Sequence, residues 1–356
     1  MLNYKSSMET VIKIDPSTDS RWNHFVDNHP LGWIVHLSEW KTILENSFPH
    51  MEPHYLAIID STTNKIKAAL PLFKINSWLT GNRLVSLPFA TLCDPLISNE
   101  QELNMMLDVV NSFVRRWSFR SINIRLFRSA PMISDTMHIN STLYKTHQLQ
   151  LNNDPEKTKK TFNRNIRRIV GAFENNDLHL RIGETENDVL LFHQLYSRTR
   201  KRLGLPSQPF IFFKNIFDAF FVQKRVMLLL AEHKATTIGG LIVFKYKDRV
   251  SSEFLASNIE DRHLNTDHFL YWNAIKLSCL EGFKIYDFGR TAYNNNSLSE
   301  FKRRWGTTEL ELPEYCIPKE TTRESTTSYR IVQNLCKISP MPVFKSLSWF
   351  CYRHLG

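Results

Sequence analysis

The chain runs twice through one order of elements, and that order restricts its fold more than any other feature. Apolar runs of strand character fall at 10–14, 53–60, 66–76, 82–89 and 121–127, with helical periodicity at 18–29, 38–48 and 100–119. A strand at 143–151 leads to Asn152-Asn153-Asp154-Pro155, where Asp154 can cap a helix and Pro155 can fill its first turn without losing a hydrogen bond. A basic helix over 155–175 follows, and the order then returns. It gives strand 178–184, helices 186–203 and 209–222, strands 226–233, 236–246 and 250–257, helix 266–281 and strand 284–288. This predicts an α/β domain over 1–153, a second over 154–320, and a helical tail over 321–356. The two halves share no residue-level repeat, so the duplication rests on element order alone.

Length and composition agree with two cores. A single hydrophobic core rarely grows beyond about 250–300 residues, and this chain has 356. With 42% hydrophobic and 22% charged residues, it is neither disordered nor low in complexity. Its net charge of +10 attracts polyanions: nucleic acid, diphosphate-linked compounds or acidic lipid. The five cysteines, at 93, 279, 316, 336 and 351, form no C-x-x-C pair and leave one over. They signal neither a disulfide framework nor a structural zinc, and fit a reducing cytoplasm. The first residues lack the apolar core of a signal peptide, and no run reaches the length of a membrane span. Zinc-hydrolase, serine-hydrolase and P-loop motifs are absent from the sequence, so no metal is expected.

A three-strand meander followed by a helix and another strand is similar to the core of the GCN5-related N-acetyltransferase (GNAT) fold. The expected class is therefore α/β, two tandem GNAT-like (acyl-CoA N-acyltransferase-like) domains with mixed sheets flanked by helices; fold alone does not give chemistry. The segment YDFGRTAYNNNSLSEFKRRWGTTELELPEY, residues 286–315, resembles the closing motif of the Fem-type (FemABX) peptidyl and aminoacyl transferases, through its D-F-G-R turn and F-K-x-x-W-G helix. LYSRTRKRLGLPSQPFIFF (195–213), NRNIRRIVGAF (163–173), LPL (70–72), LVSLPF (84–89) and HLSEW (36–40) extend the likeness over roughly 30–318. The likeness is nearest to the FemAB-like proteins of exopolysaccharide and PEP-CTERM systems. Two departures stand out: Ala90-Thr91-Leu92-Cys93-Asp94-Pro95 replaces a common Gly-Gly pair, and no heptad segment stands for a coiled-coil arm.

The resemblance implies transfer of an acyl or aminoacyl group to an amine of a nucleotide- or lipid-linked envelope precursor, peptidoglycan or exopolysaccharide related. The place would be the cytoplasm or the inner face of the membrane. No permanently bound cofactor is implied, and the donor is aminoacyl-tRNA or acyl-CoA. A GNAT enzyme that uses acetyl-CoA holds pyrophosphate on a glycine-rich loop at a helix start. Here the stretch is Arg262-His263-Leu264-Asn265-Thr266-Asp267, without glycine and with an acid in the first turn, which favours aminoacyl-tRNA. A CoA-dependent, BioF2-like N-acyltransferase is the nearest alternative. A basic nucleic-acid-binding adaptor without enzymatic activity is a more distant one, and no RNA-binding signature accompanies the charge.

Candidate residues follow. Arg164, Arg167 and Arg168 share a helix face at i, i+3 and i+4, and read equally as a phosphate clamp or a solvated surface. Tyr196 and Arg200 border the acceptor site by resemblance, and by spacing suit core packing and solvent exposure. Asp287 and Arg290 end a strand, where α/β folds place ligand groups, although an internal ion pair would look the same. In Ser297-x-x-Glu300 a capping box can open a helix that Gly306 closes, with Phe301 and Trp305 buried together and Lys302 at the edge of that face. By resemblance to the family's F-K pair, Lys302 would stabilise the oxyanion of acyl transfer, with Phe301 against the substrate. In 340–356, Val343, Phe344, Leu347, Phe350 and Cys351 recur at helical spacing beside Lys345, Trp349, Tyr352 and Arg353. That stripe suits either docking on the protein itself or peripheral membrane contact. The sequence does not fix an oligomeric state.

Overall fold

A computed structural model describes residues 9–79, 81–117, 119–133, 139–175, 177–317 and 327–354, and the chain divides into two compact units. The first is built on Met1–Leu143, Glu311–Arg323 and Tyr352–Gly356; the second on Tyr144–Leu310 and Glu324–Cys351.

In the first unit, β1 (Glu9–Ile14) leads to helices α1 (Arg21–Asn28) and α2 (Ser38–Ser47). Then come β2 (Met51–Asp60), β3 (Ile66–Ile75), β4 (Arg83–Ser86), α3 (Glu100–Trp117) and β5 (Ser121–Arg125). Strands β1 to β4 pair antiparallel in sequence, and β5 lies parallel to β4. A parallel pair needs a crossover, which α3 supplies. The polar turn expected at Thr62-Thr63-Asn64 forms because the Asp60 carboxylate accepts the N–H groups of Thr62 and Thr63 at 2.8 and 2.9 Å. Trp22, Trp40, Tyr55 and Phe73 are fully buried in this unit's core.

The chain continues through β6 (Ile139–Gln150), α4 (Pro155–Lys160), α5 (Arg164–Gly171), β7 (Leu178–Gly183), α6 (Glu186–Leu203) and α7 (Phe210–Phe220). It goes on through β8 (Val226–His233), β9 (Thr236–Tyr246), β10 (Arg249–Ser257), α8 (Thr266–Leu280), β11 (Ile285–Asp287) and β12 (Thr291–Ala292). Last come α9 (Asn296–Arg303), β13 (Thr308–Ile317), α10 (Thr327–Ile338) and α11 (Met341–Tyr352). Strands β7 to β10 pair antiparallel in sequence, β11 lies parallel to β10, and β6 pairs antiparallel with β11 and β12. In the first unit the place beside β5 is taken by residues 314–317 of β13. Each unit thus completes its sheet with a strand from a distant part of the sequence. Residues 144–150 belong to the second unit and 311–317 to the first, unlike the continuous 1–153 and 154–320 of the sequence reading, because periodicity reveals a strand but not its partner.

The basic helix expected over 155–175 is two helices and a 3₁₀ turn. Asp154 caps α4 as anticipated, its carboxylate accepting from Glu156 N at 3.0 Å. Asn163 then starts α5, its side-chain oxygen accepting from Ile166 N at 2.9 Å, so the chain breaks between the two. The phenylalanines of α7 serve mainly the core: Phe212, Phe213 and Phe220 are buried with Phe192 and Phe244.

Candidate active site

The site grows from the end of β11. The parallel register of β10 and β11 stops at Ser251 and Asp287, while β10 continues to Ser257. On β10 the register with β9 shifts between Ser252 and Phe254, so Glu253 is the extra residue of a bulge. Beyond Asp287 the two strands part. Gly289 makes the turn away with φ +73°, and a Cβ there would stand 2.7 Å from the Ser252 carbonyl oxygen, so conformation and space both demand glycine. Phe288 N donates to His147 O at 2.9 Å and keeps the turn on β6.

Asp287 is wholly buried and its carboxylate is fully engaged. It accepts from Thr146 Oγ1 at 2.6 Å, Gly289 N at 2.7 Å and Gln148 Nε2 at 2.8 Å. Thr146 and Gln148 stand two apart on β6 and therefore share a face.

Lys302 comes from α9. Asn295 caps this helix, accepting from Leu298 N at 3.2 Å; Ser297, expected as the cap, lies inside it, and Glu300 pairs with Arg303 and Arg304 at 3.4 and 3.1 Å. The earlier start follows from asparagine's strength as a capping residue. Gly306 ends the segment at φ +75° as anticipated, with the Thr161 carbonyl where a Cβ would sit. Trp305 is fully buried, its ring 5.1 Å from Phe162, 5.8 Å from Phe288 and 6.4 Å from Phe301. Lys302 lies deeper than the edge position expected of it: it is 3% exposed, whereas Phe301 is half-buried. Its Nζ donates to Gly289 O at 2.6 Å. Burial pushes the Lys302 ammonium down to about 8, against the pull of Asp287 and Glu253, which favour the charge.

A second polar group adjoins it. Glu309 accepts from Lys145 Nζ at 2.9 Å and meets His147 Nε2 at 3.2 Å. Burial and the Lys302 charge hold His147 down to about 4 despite Glu309, so the ring is neutral near pH 7. A neutral ring bonded to a carboxylate carries its proton on Nε2, and His147 Nδ1 is buried without a hydrogen-bond partner.

The structure therefore brings Asp287 and Lys302 together, with Arg290 and Phe301 adjacent. Arg290 is exposed, its guanidinium 4.2 Å from the Tyr144 ring centre. Arg164, Arg167 and Arg168 are exposed on α5, whose cap Asn163 donates its N–H to Arg304 O at 2.9 Å. Arg167 donates to the carbonyls of Lys160 and Phe162, both at 3.0 Å, and so ties the end of α4. Tyr196 and Arg200 form a different cluster: Tyr196 is buried, donates to Gln208 Oε1 at 2.7 Å and packs on Phe192 and Phe213, while Arg200 Nε donates to Pro206 O at 2.9 Å. Sequence reasoning missed Thr146, Gln148, Glu253, His147 and Glu309. The available signal was the polar run Lys145-Thr146-His147-Gln148 between Tyr144 and Leu149, and an acid in the middle of Val250-Ser251-Ser252-Glu253-Phe254.

At the start of α8, Asn265 adopts φ +57° after a 3₁₀ turn at Arg262–Leu264. Asparagine tolerates this left-handed conformation, so the turn forms without glycine.

Residues 156–303 match the family described as an acetyltransferase (GNAT) domain. No curated protein matches the chain. Among solved structures, a crystal structure of FemX aligns at TM-score 0.64 and 14% identity, over 91% of this chain and 99% of its own. A tandem GNAT protein from the clavulanic acid biosynthesis pathway aligns at 0.53 and 11%, over 86% and 98%. Saccharomyces cerevisiae N-myristoyltransferase with bound myristoylCoA aligns at 0.51 and 12%, over 88% and 83%. At such identities these likenesses show the fold: a GNAT-like α/β fold with a mixed sheet flanked by helices, resembling that of FemX. Residues 156–303 thus carry a GNAT acetyltransferase domain, which supports acyltransferase activity.

Proposed function

We propose that the two units are tandem GNAT-like domains and that the second transfers an acyl or aminoacyl group to an amine of a cell-envelope precursor. The observation carrying this reading is the buried Lys302 ammonium, which donates to Gly289 O at 2.6 Å in the same turn whose Gly289 N–H the buried Asp287 carboxylate accepts. Attack of an amine on an ester or thioester carbonyl builds negative charge on oxygen, and a cation already fixed in a dry site stabilises that charge without reorganising. One hydrogen of the Lys302 ammonium is committed to Gly289 O at 2.6 Å, which aims the group. Asp287 keeps it charged, and Glu253 adds a second carboxylate at the same place. In this scheme Glu253 accepts the proton that the attacking amine gives up as the C–N bond forms and returns it to the leaving tRNA hydroxyl or CoA thiol as the C–O or C–S bond breaks, and Phe301 and Arg290 line the acceptor's path.

Aminoacyl-tRNA is the first choice of donor, supported by the net charge of +10 and the exposed Arg164, Arg167 and Arg168. Acyl-CoA is the second reading, favoured by the left-handed turn that Asn265 makes before α8. The acceptor would be nucleotide- or lipid-linked and related to peptidoglycan or exopolysaccharide, handled in the cytoplasm or at the inner membrane face; the resemblance of 286–315 to Fem-type enzymes and the fold shared with FemX support it. Tyr196 and Arg200 would shape the acceptor side from behind. A charge-only nucleic-acid adaptor has no use for a buried ammonium and a buried carboxylate on one turn. The test is mass spectrometry of products from the purified chain with charged tRNA or acyl-CoA and amine-bearing envelope precursors. Product from charged tRNA supports the first reading, and product from acyl-CoA, with micromolar binding by calorimetry, the second. Transfer from neither donor overturns both.

A further inference from the structure

We propose that α10 and α11 form a surface that lies in the interface of a bilayer containing anionic phospholipid. Each helix has 12 residues, at about 1.5 Å per residue far short of a hydrocarbon core of about 30 Å. No helix among the described residues is long and apolar enough to cross a membrane. Lying flat is the geometry left to them.

Their inner faces hold them to the second unit. Cys336 and Phe344 are buried, Ser348 Oγ accepts from Ser207 N at 3.1 Å, and Lys201 Nζ donates to Lys337 O at 2.7 Å. A separate apolar surface points outward. On α10, Ile331, Leu335 and Ile338 recur at i, i+4 and i+7, and all are exposed. On α11, Val343 and Phe350 recur at i and i+7 beside an exposed Trp349. Ile338 and Val343, 76% and 55% exposed, stand on either side of the short turn at 339–340, so this end of the two helices offers two branched apolar side chains.

Charge selects the occupant. Residues 327–354 contain no Asp or Glu, whereas Arg330, Lys337 and Lys345 are exposed on the same two helices. A second copy meeting this surface through a two-fold axis would set cations against cations. An anionic bilayer neutralises them, takes up the apolar stripe, and suits Trp349 at the headgroup level. The inference adds a binding surface to the transfer reading and rests on it only for purpose. The assay needs no substrate, so its failure leaves the chemistry untouched.

The experiment is co-sedimentation of the full chain with vesicles of phosphatidylcholine, alone or with phosphatidylglycerol. Binding is expected only with phosphatidylglycerol present, weakening as salt rises. Ile338→Glu combined with Val343→Glu changes two exposed positions; it should lower vesicle affinity about 10-fold or more and leave the melting temperature and transfer to a water-soluble acceptor unchanged. Should that variant be unstable, Lys337→Gln with Lys345→Gln gives a second reading, with a shallower salt dependence expected. The proposal is overturned if the wild-type chain ignores phosphatidylglycerol vesicles at about 1 mM lipid, far into the range where weak anchors bind. It is equally overturned if a folded double-Glu variant binds undiminished, if the lysine variant keeps the wild-type salt dependence, or if sedimentation velocity finds a dimer that the double-Glu change dissolves.

Discussion

The two units bring their parallel strand pairs to the same register and then fill the third step differently. Arg83, Leu84 and Val85 lie beside Ser121, Ile122 and Asn123 in the first; Arg249, Val250 and Ser251 lie beside Ile285, Tyr286 and Asp287 in the second. Asn123 and Asp287 are therefore counterparts, and so are the residues facing them, Cys316 and Gln148. Asn123 is a neutral, self-contained filler: it accepts from Ser121 Oγ at 3.1 Å and donates to Cys316 Sγ at 3.2 Å. Past that step the first unit runs straight on, with Arg125 N donating to Ser86 Oγ at 3.0 Å and its guanidinium donating to the carbonyls of Leu87 and Ala90 at 3.1 and 2.6 Å. The second unit turns away at Gly289 and sets Lys302 against the carbonyl that the turn exposes. One strand plan thus makes a satisfied amide cluster in one place and, in the other, a buried cation and a buried carboxylate that bind the same turn. Architecture provides the position, and side chains set what each position can do.

Removing the cation should have the largest effect. Lys302→Met keeps the length of the side chain while deleting its charge, and kcat is expected to fall about 10²–10³-fold, the usual loss for one oxyanion donor. Wild-type turnover should also decline as pH rises through about 8, where the ammonium is lost. A rise through the same pH would make Lys302 a base instead. Copying the first unit's residue into the second comes next. Asp287→Asn removes a charge that favours the ammonium and weakens the acceptor of three buried hydrogen bonds, which should lower stability by about 2 kcal/mol in urea titrations and shift the declining limb of activity below pH 8. An Asp287→Asn chain with wild-type stability and pH profile would mean that the charge difference between the units is incidental.

Most strands, several helix ends and the placement of Asp287 and Lys302 were legible in the sequence, for physical reasons that also explain the gaps. Strands such as β8 and β9 are continuous apolar runs, and Gly204 and Gly306 mark helix ends because left-handed backbone favours glycine. Asp287 and Lys302 could be placed because a turn and a short helix fix them locally, while the role given to Lys302 came from the resemblance of 286–315 to Fem-type enzymes. Thr146 and Gln148 could not, since their role depends on β6 lying beside β11, a pairing across more than a hundred residues of sequence. Glu253 acquires its meaning only where β10 leaves β11. The break at Asn163 and the cap at Asn295 were missed because several polar residues near each competed as caps.

The reciprocal change in the first unit should do less. Asn123→Asp puts a carboxylate where only Ser121 and Cys316 can donate to it and no lysine answers, so it should cost about 2 kcal/mol of stability without creating activity. Calorimetry of this variant with unchanged melting would show that the first unit tolerates the charge, and would narrow the comparison to Lys302 alone.

The smallest expected effect concerns His147, whose counterpart in β13 is Tyr315, one step before Cys316 as His147 is one step before Gln148. The folded protein holds this ring at about 4, below its ordinary 6.5, so between those values the unfolded chain binds more protons. Stability attributable to His147 is then complete above about pH 6.5 and is lost as pH falls toward 4, with a slope of at most about 1.4 kcal/mol per pH unit. Glu309 tempers the loss, because its carboxylate favours the protonated ring. Replacing His147 by Gln keeps a donor toward Glu309 and removes the titration. Urea midpoints of wild type and His147→Gln, followed from about pH 6 to about pH 5, should diverge by about 1 kcal/mol as the wild type weakens. Parallel curves would mean that the ring already carries its proton in the folded protein, and the second unit would then hold two buried cations facing Asp287, Glu253 and Glu309 rather than one.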